Sequence, residues 1–193
     1  MKSGAIMTRG LAWFLLAGAL LTGLGCSDYP DLITTVPALT CEDGGAAAAN
    51  TVALTCGETT GDTQQVNVVL GGPATVSGLS FNVMYDGSSL DYDSYDASTV
   101  HQFFPGALVS IVPSIEPNSV PGYQDVIVAI QMTGGTGLTG DPGQHVVLTL
   151  NFRRISGAVF GPTPLTFNLE RTLTATPATA GTTFASDLVL AYQ

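Results

Sequence analysis

The sequence predicts an all-β sandwich, and three observations carry that prediction. Apolar residues recur at every second position in run after run, the spacing of a strand with one buried face. Clusters of Gly, Pro, Asp and Asn separate the runs, as turns between short strands require. No stretch of the body shows the spacing of an amphipathic helix. About eight or nine such strands, in one domain over residues 50–193, suit two sheets packed face to face.

The elements follow in order. TVALTC at 51–56 opens the domain, and the turn cluster GETTGDT follows it. QVNVVL at 65–70 puts Val66, Val68 and Leu70 on one face. In residues 76–96, VSGLSFNVMYDGSSLDYDSYD, the first half alternates. Leu79, Phe81, Val83 and Tyr85 point one way, and Ser80, Asn82 and Met84 the other. A Tyr-Asp-Gly turn interrupts the run, and SLDYDSY resumes it. ALVSIV comes after the FFPG corner. DVIVAIQM turns Val126, Val128, Ile130 and Met132 inward, leaving Ile127, Ala129 and Gln131 outward. HVVLTLNF turns Val146, Leu148, Leu150 and Phe152 inward. PLTFNL alternates Leu165, Phe167 and Leu169. The Thr-rich TATPATAGTTFASD reads as a loop before the closing strand DLVLAY.

Composition bounds the setting. Of 193 residues, 45% are hydrophobic, which supports a core, and only 10% are charged, against a usual level of about 25%. The surface is therefore built largely from Thr, Ser, Gly, Asn and Gln. Net charge is -10. Two of the five basic residues, Lys2 and Arg9, lie in the N-terminal segment, and all fifteen acids follow Cys26. Without that segment, Arg153, Arg154 and Arg171 are the permanent cations. Nucleic-acid binding depends on cationic side chains that release counterions, so a nucleic-acid partner is excluded.

The first 25 residues have the layout of a signal peptide. Lys2 and Arg9 precede an apolar run at 10–25, and small residues lie before Cys26. The run is shorter than the roughly 20 residues a spanning helix needs. Gly23-Leu24-Gly25-Cys26 resembles a bacterial lipobox, with Gly23 in place of the usual Leu three residues before the Cys. The resemblance implies that Cys26 is lipidated and becomes the first residue of an exported, lipid-anchored chain. The lipid would be its sole attachment to a membrane, and several acyl chains hold stably where one does not. By the same analogy, Ser27 after the Cys favours passage to an outer membrane where the cell has one. Residues 26–49, with Pro30, Pro37 and GGAAAA, have no sustained period and read as a flexible tether.

Two cysteines remain, Cys41 and Cys56. In an exported chain an even remainder favours a structural disulfide over two free thiols. Their spacing fits no metal template, and no metal site or cofactor is expected.

The ordered set GETTGDTQQVNVVLGG, VSGLSFNVMYDGSSLDY, PGALVS, DVIVAIQMTGGTG and GDPGQHVVLTLNFRR resembles a cohesin domain. Gly61, Asp62, Tyr85, Asp86, Leu90, Pro105, Gly106, Leu148 and Phe152 fall at the family's usual places, and Gly87 replaces its common Pro. The resemblance spans 100 to 140 residues. It implies a nine-stranded jelly roll, shared with a group of carbohydrate-binding modules, that binds without catalysis. Cohesins grip dockerin modules, which carry the calcium, on one sheet face. The Asn-x-Asp that family members use there is replaced by Gly78 and Ser80. The corresponding outward residues are Ser80, Asn82, Met84, Ile127, Ala129 and Gln131, a nearly uncharged set that suits a protein partner, which the resemblance implies is of dockerin kind, and equally suits a quiet, Thr/Ser-covered sheet.

Other chemistries are weaker. A polysaccharide platform needs exposed rings, and the single Trp, Trp13, lies in the signal peptide. Tyr92, Tyr95, Phe103, Phe104 and Tyr123 remain as candidates, with FFPG more naturally packed under its corner. Asp91, Asp93 and Asp96 could gather at a calcium ion or simply form a solvated strand edge. The Gly-rich residues 134–143 lack the Lys of a phosphate loop. His101 and His145 are far apart, Glu58, Glu116 and Glu170 form no recognisable acid–base pair, and no Ser is marked as activated.

Overall fold

Alternating side chains need two apolar faces to meet, and the computed structural model shows them meeting. It describes residues 37–193 apart from 115–117, 119, 135, 136, 141, 172 and 177–180. The strands are β1 (Leu39–Glu42), β2 (Thr51–Thr60), β3 (Thr63–Gly71), β4 (Thr75–Val76), β5 (Gly78–Asp86), β6 (Leu90–Asp96) and β7 (Leu108–Pro113). They continue as β8 (Tyr123–Gln131), β9 (Leu138–Thr139), β10 (Gln144–Arg154), β11 (Phe160–Phe167), β12 (Thr174–Thr176), β13 (Thr183–Ala185) and β14 (Leu188–Tyr192). A single helical turn, α1 (Val100–Phe103), follows β6.

One sheet runs β1-β14-β11-β5-β8-β7, with β12 added beside β5. The facing sheet runs β13-β2-β3-β10-β6, and β4 pairs β9 in a small two-stranded sheet. Pairing is antiparallel except between β13 and β2. Leu54, Leu70, Phe81, Tyr85, Phe152 and Leu165 are fully buried between the sheets. Phe81 meets Phe167 edge-on at 5.4 Å, and Tyr85 meets Phe152 at 5.2 Å. Each large apolar side chain so buried contributes about 1.5–3 kcal/mol before the cost of ordering the chain. The chain is an all-β sandwich, and its nine longest period-two runs are strands.

Several expectations change. The stretch read as a tether is structured from Leu39 onward, because β1 pairs with β14 and Leu39 is buried. Cys41 and Cys56 form a disulfide that joins β1 to β2 across the sandwich edge, with Cα atoms 5.9 Å apart. Beyond β1, Asp43 Oδ2 accepts from the Cys56 amide, and Ala47 exchanges two hydrogen bonds with the Gln144 side chain. Gly71 allows this close approach: a Cβ there would lie 2.0 Å from the Ala48 carbonyl oxygen. Cys26 and the signal-peptide residues lie outside the described residues.

In β10 the inward phase shifts at a bulge between Val146 and Leu148. Val147, not Val146, enters the main core, and Val146 packs against Ala47, Ala53 and Val69 outside it. Leu169 is not an inward residue. β11 stops at Phe167, and Leu169 sits in the following turn, 78% exposed. The Thr-rich segment is not all loop, since it contributes β12 and β13.

Candidate binding face

The outer face of β5, β8 and β7 is a ladder of aligned rungs. Strand alternation sends Ser80, Asn82 and Met84 outward because Leu79, Phe81, Val83 and Tyr85 fill the core. The β5–β8 register sets Gly78 opposite Gln131, Ser80 opposite Ala129, Asn82 opposite Ile127 and Met84 opposite Asp125. β7 extends three rungs, with Leu108 beside Gln131, Ser110 beside Ala129 and Val112 beside Ile127. On the other flank Thr176 and Thr174 lie beside Gly78 and Ser80, and Thr166 lies beside Met84. All six residues singled out in the sequence therefore share one surface.

Their exposure differs. Gln131 is exposed, Ser80, Met84, Ile127 and Ala129 are half-buried, and Asn82 is buried. The most exposed apolar side chains of the face are Leu108 at 67% and Val112 at 48%. The sequence reading missed both. Their alternation in ALVSIV was visible, but their position in a strand at the sheet edge depends on topology. Gly78 is required by packing: a Cβ there would lie 2.9 Å from the Ile130 carbonyl oxygen.

Two carboxylates sit on this face, Asp125 on β8 and Asp86 at the end of β5, and Asp125 is covered. Asp125 is 2% exposed although it points outward from β8. Asn118 Nδ2 donates to its Oδ1 at 2.9 Å. Asn168 Nδ2 donates to both carboxylate oxygens, at 3.1 and 2.9 Å. Arg171 Nε lies 3.8 Å from Oδ2. Beside this cluster, Met84, Val120, Phe167, Leu169 and Phe184, with Glu170 among its polar lining, border a groove of about 370 Å³.

The Tyr-Asp-Gly turn closes one end. Asp86 accepts from the Ser88 amide at 2.8 Å and from the Ser88 and Ser89 hydroxyls at 2.7 Å each. Burial raises the Asp86 carboxyl, but these three hydrogen bonds outweigh it and hold the group below its ordinary value. Burial raises the neighbouring Tyr85 phenol above its ordinary value.

The competing sites are otherwise engaged. Arg153 lies between Asp91 and Asp93, at 3.6 and 3.7 Å, on the edge strand β6. Among the described residues no group of three His, Cys, Asp or Glu side chains could hold a metal ion. Phe104 is fully buried, and Phe103 packs on His145 at 5.1 Å. Tyr95, at 45%, is the exposed aromatic among the described residues. Among them, too, no helix is long and apolar enough to cross a membrane.

No family model matches the chain, and no curated protein matches it. Among solved structures it is similar to cohesin modules. CaCohA2 from Clostridium acetobutylicum shares 19% identity, with 70% of this chain and 86% of that one covered and a TM-score of 0.48. The sixth cohesin of scaffoldin B from Acetivibrio cellulolyticus, solved with a dockerin, shares 23% identity over 78% and 94%, with a TM-score of 0.46. The seventh ScaB type I cohesin from Pseudobacteroides cellulosolvens shares 13% identity over 70% and 87%, also with a TM-score of 0.46.

Proposed function

We propose that the chain is a non-catalytic binding module, exported and held at the cell envelope by lipid on Cys26, that takes a protein partner of dockerin kind on the outer face of β5, β8 and β7. One observation carries the reading. On a chain with net charge -10, this face presents Leu108, Val112, Ile127 and Met84 among hydroxyls and amides, with Asp125 buried and Asp86 held by Ser88 and Ser89 at the turn that ends β5. Charge is depleted at the centres of protein interfaces, and contiguous exposed apolar surface marks binding sites. The buried Phe104 and the absence of an exposed aromatic row among the described residues weigh against a polysaccharide platform.

The test uses the full chain, immobilised, with a panel of calcium-loaded dockerins and a panel of soluble polysaccharides. A dockerin retained in calcium and released by EDTA supports the reading. Retention of polysaccharide alone makes the chain a carbohydrate-binding module of the same architecture. Retention of neither overturns the binding reading and leaves a structural envelope role.

A further inference from the structure

Asp125 is unusual for its place: a carboxylate on the outer face of a sheet, yet almost fully buried. Burying a charge is costly unless it is paired and hydrogen-bonded. Among the described residues, its side-chain partners come from two loops. Asn118 lies between β7 and β8, and Asn168 and Arg171 lie between β11 and β12.

Each asparagine relays the contact onward. Asn118 gives its amide hydrogen to Asp125, and its Oδ1 accepts from the Val120 amide at 3.1 Å. Val120 starts a turn, its carbonyl accepting from Tyr123 N at 3.1 Å, with Pro121 and Gly122 (φ +87) at the centre. Asn168 likewise donates to Asp125, and its Oδ1 accepts from the Glu170 amide at 3.1 Å. Its carbonyl accepts from Arg171 N at 3.2 Å, and its own amide donates to Asn82 O at 2.9 Å. The two turns so held present Val120, 40% exposed, and Leu169, 78% exposed, at the rim of the groove beside Met84. Met84 is the cross-strand partner of Asp125.

We infer that Asp125 is a positioning residue that acts through Asn118 and Asn168 to set the two turns carrying Val120 and Leu169 at the rim of the binding face. The inference rests on the reading of that face as the binding surface. Surface groups bind tightly when neighbours fix their conformation, and loops left to themselves do not supply that. One carboxylate with two amide partners registers both loops against the rigid β5–β8 pair.

Residue-resolved amide exchange on the full chain tests it. Asp125→Ala removes the acceptors. Asp125→Leu keeps the size, so the fold is retained, but offers no acceptor to Asn168 or Asn118. Neither the Val120 nor the Glu170 amide touches Asp125. In both variants these two amides exchange faster by about tenfold or more, while Phe81 and Val128 on β5 and β8 keep their rates. Unchanged rates at Val120 and Glu170, or equal acceleration throughout β5 and β8, overturn the inference, because a residue that merely supports the fold gives the second pattern. A dockerin captured by the wild-type chain binds the Asp125→Leu variant about tenfold more weakly, and equal affinity also overturns it. If the wild type captures no dockerin, the reading of the face fails, and the exchange rates alone decide the part played by Asp125.

Discussion

The Tyr85 hydroxyl donates to Gln124 Oε1 at 2.8 Å, and the Gln124 side chain lies across the space beside Gly87. A Cβ at position 87 would come 2.5 Å from Gln124 Nε2. Gly87 also donates its amide to Gly122 O at 2.9 Å, a bond that Pro cannot make. The turn therefore docks on the β7–β8 loop, and that docking accounts for Gly at position 87. Tyr85→Phe loses about 1 kcal/mol of stability. Gly87→Ala loses a similar amount, because Gln124 must leave Tyr85, and Gly87→Pro loses more. Urea unfolding measures all three, and an unchanged midpoint for Gly87→Pro would contradict the docking.

The disulfide closes a loop with a sequence separation of 15 and fastens a four-residue strand at the end of its sheet. Reduction, or replacing both Cys41 and Cys56 by Ala, lowers stability by about 3 kcal/mol in the chain-entropy account. The check is the urea midpoint with and without reductant. A midpoint that does not move places the hold on β1 in its β14 pairing alone.

Acid and alkali act on different residues. The Asp86 carboxyl is held below its ordinary value, so its hydrogen bonds stabilise the fold above the unfolded value, and that gain is lost as pH falls through the folded one. Asp86→Asn therefore flattens the acid limb of a melting-temperature profile. At the other end the Tyr92 phenol is pushed up to about 12, first by burial and then by Tyr95 and Asp93. Its contribution is present below the unfolded value of 10.0 and is lost as pH rises towards 12, so Tyr92→Phe flattens the alkaline limb.

If Cys26 carries the lipid, Cys26→Ser moves the chain from the membrane fraction to the soluble fraction and removes label from radioactive palmitate. Retention in the membrane fraction without label would contradict lipid anchoring.

The long strands were legible because burial of one face leaves a period of two, clear in Leu79 to Tyr85 and in Val126 to Ile130. What escaped had no period to show. LTCE and TFA are too short to alternate, and their strands exist because β14 and β2 offer an edge. The bulge at Val147 places two successive residues inward, which alternation cannot encode. On the candidate face, the outward direction of Ser80 to Gln131 followed from alternation, and their grouping on one face followed from the resemblance. Leu108, Val112 and Asp125 did not, because their roles depend on which strand lies at the edge and which loops fold over it.

The most direct test of the binding face is calorimetric titration of a calcium-loaded dockerin, chosen from those the full chain captures, into wild type and into a Leu108→Asp, Val112→Asp double variant. Both side chains are exposed, so the double variant should unfold at the wild-type urea concentration to within about 0.5 kcal/mol per site. The account predicts that the variant loses binding by about a hundredfold or more, since each carboxylate enters an apolar contact without a partner. Wild-type affinity in the double variant would contradict it and place the partner on another surface.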